Sequence, residues 1–198
     1  MLICPGNHDL KYLGAAGFVG DNRKQFNQKL KQLIPSESIW YGTDLDSYPI
    51  IHKIESTFFI GLDSLEDEKD LAADGELGVT QLSILDDKLT EIRSNYQGSQ
   101  IIVYLHHQPF EIMLGEFWMK LKDRKRFMEI INGVDCLLFG HVHIQKRFEL
   151  EEKLHHIKCI HLSGATLDNE YGIIVTEIDT KDFNINYTVV PVPEKDKD

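Results

Sequence analysis

Apolar positions along this chain follow two rhythms, and the change from one to the other lays out its elements. Continuous apolar or alternating runs read as strands at 47–54, 57–62, 100–105 and 134–139. Helical spacing takes over between them. Phe26, Leu30, Leu33 and Ile34 share one face of a helix predicted over 18–34 and ended by Pro35. Leu82, Leu85, Leu89 and Ile92 mark a second helix, capped by Thr80 and running to about Tyr96. A third helix spans 124–132, with Gly133 as its stop. Further strands follow at 144–150, 156–162, 171–178 and 183–190. Strands alternating with helices, then strands alone, suit two packed sheets flanked by helices.

Composition narrows this to one domain over 1–190, without internal repeats, and a disordered charged tail over 191–198. With 198 residues, 42% of them hydrophobic, a sizeable core can form. No apolar run approaches the roughly 20 residues of a membrane span, and the N-terminus lacks signal-peptide character. Cys4, Cys136 and Cys159 are odd in number, so free thiols and a cytoplasmic setting are expected. A net charge of −11 opposes binding of long nucleic acid. The basic stretch 120–126 reads first as a solvated helix face, with a substrate-facing patch as the alternative.

Three short histidine segments carry the chemistry: Gly6-Asn7-His8-Asp9, Leu105-His106-His107-Gln108-Pro109 and Gly140-His141-Val142-His143. Each follows a strand-like run, so their side chains can converge on one rim of a sheet. Amide oxygen, imidazole and carboxylate gathered there suit hard or borderline divalent metals. In this order and spacing the segments resemble the later motifs of the calcineurin-like metallophosphoesterases, including the cyclic-nucleotide phosphodiesterase-like group. Asp63-Ser64 and the stretch from Gly75 to Leu82 resemble further parts of that pattern.

The resemblance implies an α+β (α/β) four-layer αββα sandwich with a binuclear site of manganese, iron or zinc. Asn7, His106 and His141 would ligate one metal and His143 the other. His106 is favoured over His107, which is left beside the ligands or facing substrate. His8 would be catalytic, acting on the phosphate or the leaving oxygen, with Asp9 orienting it by a carboxylate–imidazole bond. His52, His155, His156 and His161 lack motif context and read as structural or exposed. Residues 110–121, with Phe110, Met113, Leu114, Phe117 and Trp118, offer an apolar wall or lid, with core packing equally open.

The family's earlier Asp-x-His and Gly-Asp-x-x-Asp motifs have no counterpart here, so the expectation is an N-terminally truncated domain lacking strands of one sheet. Exposed strand edges would then favour poor solubility, a homo-oligomer or a complementing N-terminal segment. The implied function is metal-dependent hydrolysis of a small phosphomonoester or phosphodiester, impaired in this form. The alternatives are a non-catalytic metal-binding scaffold and one part of a split phosphoesterase.

Overall fold

The computed structural model describes residues 4–6, 28, 39–41, 48–65, 74–110, 121–141, 146–148, 156–162, 167–168 and 172–190. In chain order its elements are β1 (Ile39–Tyr41), β2 (Ile50–Ile54), β3 (Thr57–Gly61), α1 (Gly78–Asn95), β4 (Gln100–Tyr104) and α2 (Arg124–Ile130). They continue with β5 (Cys136–Phe139), β6 (Lys146–Phe148), β7 (Cys159–Leu162), β8 (Leu167–Asp168), β9 (Gly172–Ile178) and β10 (Ile185–Val190). Seven strands form one sheet in the order β1-β2-β3-β4-β5-β7-β6, and β10-β9-β8 form a second. The architecture is mixed α/β. Its centre, β3-β4-β5-β7, is parallel, while β1 and β2 on one edge and β6 on the other pair antiparallel. Parallel neighbours need a crossover; α1 lies in the one joining β3 to β4, and α2 in the one joining β4 to β5.

Register decides which residues meet the helices. One row across the sheet is Ile51, Ile60, Val103, Leu137 and Ile160, all fully or almost fully buried in the main core. Onto it α1 packs Leu82, Leu85, Leu89 and Ile92, the four positions its spacing predicted, and α2 adds Phe127 and Met128. At about 1.5–3 kcal/mol for each fully buried side chain, the α1 stripe contributes roughly 6–12 kcal/mol before ordering costs. The opposite row is His52, Phe59, Ile102, Cys136 and Cys159. Against this face pack Phe183 and Ile178, from the β9–β10 hairpin. The parallel sheet is therefore apolar on both faces, which explains its continuous hydrophobic strands.

The start of α1 differs from expectation. The helix begins at Gly78, whose φ is +78°, so Thr80 lies inside it and does not cap it. The capping group comes from 45 residues away: the Asp123 carboxylate accepts the N–H of Gly78 at 2.9 Å and of Leu77 at 3.1 Å. A carboxylate held at a helix N-terminus satisfies exposed amides and favours the helix dipole, and no local spacing rule could reveal this one. Strand β1 escaped the pattern because three residues are too few to show a period. Gly133 does follow α2 with the left-handed φ, +78°, of a helix stop. Lys125 and Arg126 are exposed on α2, in keeping with a solvated basic face. The predicted helix over 18–34, apart from helical Gln28, and the tail 191–198 lie outside the described residues. Among the described residues, no helix is long and apolar enough to cross a membrane.

Candidate metal centre

Parallel pairing runs past the strand ends and carries the motif residues with it. Leu62 donates its N–H to Tyr104 O at 3.0 Å, Leu105 to Leu138 O at 3.1 Å, and Gly140 to His106 O at 3.0 Å. These bonds set Asp63-Ser64, His106-His107 and Gly140-His141 side by side at the C-terminal rim of β3, β4 and β5. That rim is where open parallel sheets place their ligands. His141 takes a left-handed backbone, with φ +78°. Such strained conformations cost about 1–3 kcal/mol and concentrate at functional sites. The turn brings His141 Nδ1 to 3.0 Å from His106 Nε2.

His107 joins them. Its ring centroid lies 4.6 Å from that of His141 and 5.0 Å from that of His106. One ligand nitrogen from each of the three rings lies within 4.8 Å of the others. Metal–imidazole bonds of about 2.0–2.1 Å call for nitrogens roughly 3–4 Å apart, so small ring rotations would close the group around one cation. An all-imidazole set suits a divalent transition metal in its chemistry. His106 and His141 are half-buried, whereas His107 is fully buried.

The support behind His107 was not legible from spacing. Ser64 Oγ lies 2.9 Å from His107 Nδ1 and accepts the backbone N–H of His107 at 3.2 Å. The Asp63-Ser64 turn is itself clamped by buried Gln81 of α1. Gln81 Oε1 accepts the N–H of Asp63 at 2.9 Å, and its Nε2 donates to Asp63 O at 2.7 Å and to Leu77 O at 3.0 Å. The Asp63 carboxylate accepts the N–H of Leu65 at 2.9 Å, closing the turn. Behind the ring stands Gly75, where a Cβ would fall 2.4 Å from His107 Cγ and Nδ1 and 2.6 Å from Ser64 O. Only glycine fits there. Gly140, by contrast, has room, because a Cβ would meet His106 Nδ1 at an ordinary 3.8 Å.

On the other face of β4, Tyr104 lies over Gly61, with its hydroxyl buried and lacking a hydrogen-bond partner among the described residues. Burial pushes this phenol well above its usual range, and Cys4, three residues before Asn7, adds a smaller push.

Of the residues singled out by sequence, the structure brings together His106, His107 and His141. Asn7, His8, Asp9 and His143 lie outside the described residues, as does 111–120 of the apolar wall or lid. Of that segment's ends, Leu121 is fully buried in the core and Phe110 stacks edge-on against Phe139 at 5.3 Å. His52 and His161 are buried strand residues, and His156 is exposed. The three cysteines are thiols outside any disulfide, Cys136 and Cys159 fully buried and Cys4 partly so.

A comparison with curated proteins gives no match. The family model for calcineurin-like phosphoesterases matches residues 1–145, which hold all three histidine segments and the whole parallel rim up to His141. The chain belongs to the calcineurin-like phosphoesterase family.

Proposed function

We propose that this chain is a metal-dependent phosphoesterase that hydrolyses a small phosphomonoester or phosphodiester. The observation that carries the reading is the convergence of His106, His107 and His141 at the ends of adjacent parallel strands, in a chain of this family. In the resemblance drawn from the motifs, Asn7 would join His106 and His141 at one metal, and His143 would belong to the other. Bound divalent cations supply Lewis acidity toward phosphate oxygens and an acidified water.

The protein's own part is to hold and orient. The imidazoles of His106 and His141 meet from two neighbouring strand ends, and His107 is immobilised between Ser64 and Gly75. Such preorganisation means that little reordering is needed when charge builds on the phosphate. His8 is assigned the proton delivered to the departing oxygen, with Asp9 holding its ring in the productive tautomer. The net charge of −11 disfavours long polyanions and leaves small esters as the substrate class. Three thiols outside any disulfide suit a reducing cytoplasm. The expected αββα sandwich would set a second helical layer beyond the β8–β10 side.

The test is elemental analysis together with hydrolysis of bis-p-nitrophenyl and p-nitrophenyl phosphates in added manganese. Bound metal and turnover are expected, with His141→Ala losing metal and at least about 100-fold in rate. Bound metal without turnover of either ester would overturn catalysis and favour the non-catalytic metal-binding scaffold.

A further inference from the structure

His106 and His107 compete for one role in the sequence, yet their surroundings differ sharply. His107 has no room to turn: the ring is fully buried, Gly75 stands against one side, and Ser64 Oγ meets both its Nδ1 and its backbone N–H. Ser64 is also fully buried, and its turn is fixed by Gln81 and by the Glu76 N–H, which donates to Ser64 O at 3.1 Å. So much structure invested in one ring orientation is what a ligand needs from the groups behind it.

A serine oxygen has two lone pairs and one proton. If the hydroxyl donates to Nδ1, the imidazole carries its proton on Nε2 and cannot use that nitrogen as a ligand. If Nδ1–H donates instead, Oγ accepts two bonds, one from the ring and one from the backbone N–H of His107. Nε2 is then the nitrogen left to join His106 and His141, which offer ring nitrogens within 4.8 Å of one on His107. The backbone N–H takes one lone pair at 3.2 Å in either arrangement, but only the second leaves Nε2 of His107 with a lone pair for a cation.

We propose that Ser64 is a positioning residue that holds His107 in its Nδ1–H tautomer, making Nε2 of His107 a metal ligand together with His106 and His141. The proposal rests on the metal-site part of the reading above and requires no catalysis. His106 and His107 are then both ligands, from consecutive positions beyond one strand. Gly75 belongs to the same device, because any side chain there would drive the ring off Ser64.

The experiment is long-range nitrogen–proton NMR on histidine-labelled protein, with and without zinc, beside zinc titration by calorimetry. In the zinc-bound parent, His107 is expected to show a protonated Nδ1 and a zinc-shifted Nε2. Ser64→Ala should weaken zinc binding by about 10–100-fold, and Ser64→Thr should restore it to within a few-fold. A protonated Nε2 on His107 in the zinc complex would overturn the proposal without the need for any variant. Equal zinc affinity in Ser64→Ala and parent, or no zinc binding by the parent, would also overturn it. Hydrolysis of the nitrophenyl esters is scored separately. Zinc binding with the expected tautomer but no turnover sinks the enzymatic reading and leaves the role of Ser64 standing.

Discussion

Gln81→Met would remove three buried hydrogen bonds while nearly preserving volume. The side chain is 9% exposed, and its amide serves Asp63 N–H, Asp63 O and Leu77 O at 2.9, 2.7 and 3.0 Å. Each bond is worth about 0.5–1.5 kcal/mol net, and stranding the buried Asp63 N–H adds about 1–3 kcal/mol. The expected loss is roughly 3–6 kcal/mol. The assay is urea unfolding followed by far-ultraviolet circular dichroism. With an m-value of about 2–3 kcal/mol/M, the midpoint should fall by about 1–3 M at unchanged slope. A shift below about 0.3 M would refute the reasoning, because the Asp63-Ser64 turn would then stand without its clamp. Such a result would also weaken the case that α1 braces the metal rim.

Asp123→Ala should cost about 1–2 kcal/mol, read as a lower thermal midpoint, since it uncaps Leu77 and Gly78 at the start of α1. Asp123→Asn, which keeps an acceptor, should recover part of that loss. Tyr104→Phe should be neutral or stabilising at pH 7, because it removes a buried hydroxyl that lacks a partner among the described residues. The alkaline limb gives a second check on Tyr104. Its folded pKa is raised above the unfolded value near 10, so its contribution is fully present below pH 10 and is lost as pH rises through the folded pKa. The parent's unfolding free energy should therefore fall by up to about 1.4 kcal/mol per pH unit from this residue, a slope absent in Tyr104→Phe. Equal alkaline slopes in urea titrations would contradict the assignment.

Much of the parallel sheet was legible because its strands are buried on both faces. Gln100–Tyr104 and Cys136–Phe139 are almost wholly apolar runs, and α1 displays its core stripe at helical spacing. The three histidine segments, their order and the family were also readable, since each depends on neighbours in the chain. Distances across the chain were not. Ser64 and His107 are 43 residues apart, and Asp123 caps a helix 45 residues before it. Gly75 is glycine because of a ring that reaches it only in the folded state. Periodicity and motif order are properties of local chain geometry, so they survive in a bare sequence. Caps, clamps and ring orientations arise where parallel pairing lays distant segments side by side, and only the folded sheet decides which atoms meet there.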